Sequence, residues 1–110
     1  MISILVVDAD HAHRATTRTH LERAGYEVLT AKSGQEAMLL ARHHRPDLIV
    51  SKELEGLEQC KTPVVLVRDR ASETDRDRAF KLGALELIER SADFKRELTW
   101  IRVAVQQVRG

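Results

Sequence analysis

Three uninterrupted apolar runs, ILVV from Ile4, LIV from Leu48 and VVLV from Val64, set the strongest limit on what this chain can become. A strand wetted on one face alternates apolar with polar residues. A strand covered on both faces is apolar throughout, so these runs are predicted to be central parallel strands. YEVLTA from Tyr26 and LELIE from Leu85 alternate more and belong nearer the edges of the sheet. Between the strands, helices are predicted over 11–24, 35–44 and 73–82, with a last helix from about 92 to 108. Gly25 and Gly83 stand where a left-handed residue ends a helix, and Pro46 closes the second helix.

The resulting order, β-α-β-α-β-β-α-β-α, forces parallel pairing through right-handed crossovers, which is a doubly wound α/β sandwich. One crossover is unusual. Between Ser51 and Pro63 little more than ELEGLEQCKT is available, about the minimum for a crossover, so the third helix of the fold is expected to be shortened or missing. A length of 110 residues fits a single domain over 1–110. Eighteen basic against seventeen acidic residues leave a net charge of +1 with no long block of one sign, which argues against direct binding of nucleic acid or an anionic membrane. Cys60, the only cysteine, has no partner for an internal disulfide and suits a reducing cytoplasm. The apolar run after Met1 is too short for a signal peptide or a membrane span.

ILVVDAD, Arg14 in the first helix, GYEVLTAKSGQEAM, RPDLIV, TPVVLV and KLGALELIER occur in an order and spacing that cover nearly the whole chain. Together they resemble the receiver domain of bacterial response regulators. The resemblance implies a flavodoxin-like five-stranded sheet in the order 2-1-3-4-5, with its functional crevice at the strand C-termini. It also implies phosphoryl transfer from a partner histidine kinase to an aspartate, assisted by two further acids that help bind Mg²⁺. A Ser or Thr and a Lys then hold the phosphoryl oxygens, and an aromatic residue reports the change.

Carried over position by position, the first acid matches Asp8, but the second falls on Ala9 and the phosphoacceptor position on Lys52. The hydroxyl position falls on Arg68, the lysine on Arg90, the proline after it on Ser91 and the switch aromatic on Leu87. Lysine has no carboxylate from which to form an acyl phosphate, and its ammonium repels the cation a carboxylate would bind. The resemblance therefore leads to the expectation of a degenerate pseudo-receiver with no catalytic residue, cofactor or metal. Asp10 is read as the N-cap of the first helix rather than as a substitute acceptor.

Lys52, Arg68 and Arg90 are expected to converge on Asp8. Two uses follow: a lysine and an arginine pair with Asp8 and freeze the pocket, or the three cations form a crevice that senses a small anion or a nucleotide. His11 and His13 near Asp8, with His43 and His44, are too few converging donors for a metal site to be predicted. Under the first helix, His13, Thr16, Thr17 and His20 form a polar stripe where aliphatic residues ordinarily cover a sheet, consistent with a polar core or with partial exposure at a thin contact.

In the last helix Phe94, Leu98, Ile101, Val105 and Val108 make the inward stripe, leaving Trp100 and Val103 outside it. An aromatic beside an aliphatic residue makes an interface anchor, although Trp100 could instead fold over the first helix. In the resembled family the helix before the last strand, that strand and the last helix pair with another subunit or an output partner. Asp75, Arg76, Arg78, Trp100, Val103 and Gln107 are the candidate partner surface within 73–108, with alternating Asp75, Arg76, Asp77 and Arg78 also readable as a solvated face. The expected partner is an output domain, a kinase or other signalling protein, or a second copy.

Overall fold

A computed structural model describes residues 1–109. Nine elements follow in chain order: β1 (Ser3–Val7), α1 (His11–Arg23), β2 (Glu27–Ala31), α2 (Gly34–His44), β3 (Leu48–Ser51), β4 (Val64–Arg68), α3 (Glu73–Lys81), β5 (Glu86–Glu89) and α4 (Lys95–Arg109). The five strands form one parallel sheet in the order β2-β1-β3-β4-β5, which is the arrangement the resemblance implies. No helix among the described residues is long and apolar enough to cross a membrane.

The apolar runs are buried on both faces because strand residues alternate between two cores. Ile4 and Val6 join Leu48, Val50, Val65 and Val67 under α1 and α4. Leu5 and Val7 join Ile49, Val64 and Leu66 on the opposite face, under α2 and α3. The third crossover holds no helix at all. Leu54 and Leu57 of the connecting segment fold down instead and are buried on the face where that helix would lie.

Gly25 and Gly83 adopt positive φ after α1 and α3, as their placement predicts; α2 lacks a glycine there and Arg45 takes the left-handed conformation in its stead. The last helix begins later than predicted. Phe94 adopts φ 64 and breaks the helical run, so α4 starts at Lys95. Glu97 is 2% exposed and its carboxylate accepts the Ser91 amide and hydroxyl, a tie the sequence reading did not anticipate. The inward stripe of α4 otherwise follows the predicted one: Ile101 and Val105 are buried, Leu98 packs against them and Val108 is half-buried, while Phe94 is buried just before the helix begins.

The polar stripe of α1 divides. Thr17 is buried, His20 stacks on Phe94 with ring centroids 4.7 Å apart, and His13 is half-buried. Thr16, expected inward, is exposed because it lies off the line that His13, Thr17 and His20 make at helical spacing.

Helix starts are capped by side chains. Asp10 accepts the His13 amide, Ser33 the Glu36 amide, and Ser72 with Asp75 forms a reciprocal capping box. The His13 amide holds the Asp10 carboxyl below its ordinary value of 3.8. A folded-state value lowered in this way stabilises the fold above the ordinary value and ceases to do so as pH falls through the folded one. Asp10→Asn keeps an acceptor but cannot titrate. The difference in melting temperature between wild type and Asp10→Asn should therefore be constant above about pH 5 and change only below it. A pH-independent difference would show that the cap carboxylate contributes nothing through its charge.

The connecting segment is held against α2 by two glycines. A Cβ at Gly34 would lie 2.2 Å from the Glu55 carbonyl oxygen, and one at Gly56 would lie 3.1 Å from the Gly34 Cα. Backbone cannot move aside as a side-chain tip can. Gly34→Ala should cost about 1–3 kcal/mol in urea unfolding, the usual penalty for overpacking. An unchanged midpoint would mean that the segment is not seated on α2.

Candidate functional site

All five strands run parallel, so their C-terminal ends share one rim. The ladder extends one residue past three of them. Asp8 donates its amide to the Ala31 carbonyl at 3.1 Å, Lys52 to Val7 at 3.1 Å and Arg90 to Arg68 at 2.8 Å. Backbone pairing thus brings Asp8, Lys52 and Arg90 to the rim, and Arg68 closes β4 beside them.

Asp8 is only 6% exposed, and a carboxylate buried this far needs compensation. Its Oδ1 accepts the Asp10 amide at 2.9 Å and its Oδ2 lies 3.3 Å from Arg90 Nη2. Arg14 Nη1 donates to the Asp8 backbone carbonyl at 2.8 Å, which fixes the turn into α1. Arg90 has a second acid: its Nε lies 3.0 Å from Asp69 Oδ1, close enough for an ion pair but not aligned for a hydrogen bond.

The other two cations do not meet Asp8. Arg68 donates Nε to the Lys52 carbonyl at 2.7 Å and pairs with Glu53 at 3.6 Å. Lys52 is half-buried, and its charge acts on Asp10, helping to lower that carboxyl after the His13 amide. Ala9 lies between Asp8 and Asp10 on the crevice wall. Leu87, at the position the resemblance gives to a switch aromatic, is buried in the core on β5.

The crevice holds about 770 Å³ between β1, β3 and the start of α2. Sequence reasoning expected cations to dominate it. Three glutamates of the connecting segment, Glu53, Glu55 and Glu58, were not foreseen there, and with Asp8 and Asp10 they outnumber Lys32 and Lys52. The alternation of Glu with Leu54 and Leu57 was the available signal, because burying both leucines turns the acids outward. The histidines do not converge. His11 Nδ1 lies 3.1 Å from Arg14 Nη2 and His13 Nδ1 is buried without a partner, while His43 and His44 lie at the far end of α2. Among the described residues no three acidic, imidazole or thiol groups are placed to hold a metal ion.

The second candidate region flanks β5, the edge strand. Both of its carboxylates are clipped to neighbouring helices, Glu86 to Arg76 at 3.6 Å and Glu89 to Arg96 at 3.5 Å, and Arg76 Nη1 caps the Leu87 carbonyl at 2.8 Å. These clips shield the strand edge from pairing with another strand. Beside the clips stand exposed apolar side chains: Phe80 at 50%, Trp100 at 43% and Val103 at 40%. Trp100, Val103 and Gln107 continue the flank of α4 that starts at Arg96. Phe80, one turn beyond Arg76 on α3, escaped the sequence reading because it follows the inward Ala79. Asp75 and Arg78 lie on the other flank of α3, against the connecting segment, and so are separated from the Trp100 region.

Comparison with known proteins agrees with this architecture. The response regulator receiver domain family matches residues 4–102. The chain is 36% identical over 74% of its length to the alkaline phosphatase synthesis transcriptional regulatory protein PhoP of Bacillus subtilis, and spans 39% of that protein. It is 30% identical over 91% of its length to the polar-differentiation response regulator DivK of Brucella anthropi, and spans 93% of it. The chemotaxis protein CheY4 of Vibrio cholerae has the same fold, with a TM-score of 0.85 at 24% identity over 94% of this chain and 98% of that one. The chain belongs to the response regulator receiver domain family.

Proposed function

We propose that this receiver works without phosphorylation, as a fixed surface for protein partners in signal transduction. The observation that carries the reading is the state of Asp8: one carboxylate oxygen is taken by the Asp10 amide and the other faces the Arg90 guanidinium. Mg²⁺ requires oxygen ligands free to approach it at short range, and the residues here do not fit that need. Ala9 supplies no second carboxylate beside Asp8. The position that resembles the phosphoacceptor is Lys52, which supplies an ammonium. No step of phosphoryl transfer is therefore assigned to this pocket.

The pocket's surroundings favour one conformation. Arg90 holds Asp8 and Asp69 together, Glu89 accepts the Ala71 amide at 3.0 Å, and Arg76 fastens α3 to β5. The loop after β4 is thus tied at both ends to β5 and the rim. Partner recognition is then assigned to side chains along the β5 edge, with Phe80, Trp100 and Val103 as apolar anchors and Arg76, Arg96 and Gln107 around them. An output domain, a kinase or a second copy would all be met by this surface. The anion-sensing alternative for Lys52, Arg68 and Arg90 loses support from the acids that line the crevice and from the pairing of both arginines.

Incubation with acetyl phosphate and Mg²⁺, followed by intact mass and sedimentation velocity, tests both halves. Mass and sedimentation should be unchanged by the treatment, while a Phe80→Asp, Trp100→Ala double variant should lose self-association or capture of its cellular partner and keep its melting temperature. A phosphorylated product, or a double variant that associates as wild type does, contradicts the reading.

A further inference from the structure

Two acids among the described residues are buried, Asp8 at the rim and Glu97 in the first turn of α4. Asp8 has Arg90 as its cation, whereas Glu97 forms no ion pair among the described residues, and Arg96 beside it turns to Glu89 instead. A buried carboxylate without a cation depends on hydrogen-bond donors. The donors come from one residue: Ser91 gives Glu97 its amide at 3.0 Å and also its hydroxyl. The same hydroxyl oxygen accepts the Arg96 amide at 3.3 Å. Ser91 directly follows Arg90, so this clasp joins the residue that holds Asp8 to the start of α4.

The clasp closes over a strained residue. Apolar periodicity runs back through Leu98 to Phe94 and predicts a helix from about 92, yet α4 starts at Lys95 because Phe94 sits at φ 64. The left-handed region is unfavourable for a bulky side chain and persists only where the surroundings hold it. Here the Phe94 ring is buried and stacks on His20, and its amide donates to the Ser91 carbonyl at 3.5 Å. With Phe94 at negative φ, Ala92 and Asp93 would continue the helix and keep Phe94 on the inward stripe, four residues before Leu98. Ser91 would then stand at the N-cap, a position serine favours. The same sequence is thus compatible with two starts for α4.

We infer that the Ser91–Glu97 clasp is a conformational switch: closed, it holds α4 short and Arg90 on Asp8; open, it lets α4 grow back to Ser91. Ser91 and Glu97 act on Arg90 through the backbone, and so are positioning residues. Opening redirects the chain straight after Arg90 and turns the start of α4, which carries Arg96 and, one turn on, Trp100. The inference rests on the β5-edge reading and names how that surface is regulated, with one shape for each start of the helix. Such coupling is reciprocal, so loosening the Asp8–Arg90 pair opens the clasp and opening the clasp loosens the pair.

The Cα chemical shifts of Ala92, Asp93 and Phe94 in the full chain read the start of α4 directly. Wild type should show non-helical values at all three. Glu97→Leu, which removes the acceptor but fills the buried space and leaves Ser91 free to cap, should move them to helical values. Glu97→Gln keeps an oxygen for a Ser91 donor and should stay close to wild type. Asp8→Asn should move the three shifts in the same direction, changing the ratio of the two states about ten-fold, a usual coupling factor, and should add nothing in a Glu97→Leu background. Arg90→Lys, which keeps the charge but not the fork, makes the same comparison should Asp8→Asn not fold. Non-helical shifts in a folded Glu97→Leu variant, or equal responses to the rim substitution with and without Glu97, would overturn the switch. The β5-edge reading fails separately, through a Phe80→Asp, Trp100→Ala variant that keeps its partner while the Ala92, Asp93 and Phe94 shifts are unchanged.

Discussion

The guanidinium of Arg90 sits between two carboxylates, Asp8 at the end of β1 and Asp69 in the loop after β4, and much of the rim is organised around it. Asp8 is buried and cannot be left as an uncompensated charge. Arginine meets the need better than lysine would, because its planar fork reaches two acids in different directions while its charge stays fixed. The contact joins β1 to β5 across the sheet and fastens the loop that leads into α3. Glu89 and Arg76 add further ties from β5, so the elements beside the edge strand share one set of restraints.

This arrangement separates a pocket from a surface. At the rim the charges compensate one another: Arg90 with Asp8 and Asp69, Arg68 with Glu53, and Lys52 beside Asp10. At the β5 edge apolar side chains stay exposed: Phe80, Trp100 and Val103. The first set spends its interactions inside the molecule. The second leaves its apolar surface open to solvent.

The sheet could be read from the sequence because ILVV, LIV and VVLV permit little else, and because Gly25 and Gly83 mark the ends of two helices. The short crossover was equally legible, since too few residues separate Ser51 from Pro63 for a full helix. What could not be read was the direction of long polar side chains. Arg68 and Arg90 stand at equivalent strand ends, yet one turns to a backbone carbonyl and the other to Asp8, a choice set by which acceptors lie within reach in three dimensions. The Ser91–Glu97 tie and the left-handed Phe94 were hidden for a related reason. Helical periodicity counts a glutamate as an outward residue and does not register a nearby loop that offers it donors. Thr16 failed differently, because a stripe drawn through four polar residues included one that lies off the line.

The central claim is that Asp8 belongs to Arg90 and not to a divalent cation. Titration with Mg²⁺, followed through the backbone amide shifts of Asp8, Ala9, Asp10 and Lys52, measures this most directly. The account expects no saturable shift at these amides up to tens of millimolar Mg²⁺. A saturable shift at millimolar concentration, centred on Asp8 and Asp10, would show that the cation displaces the guanidinium and would contradict it.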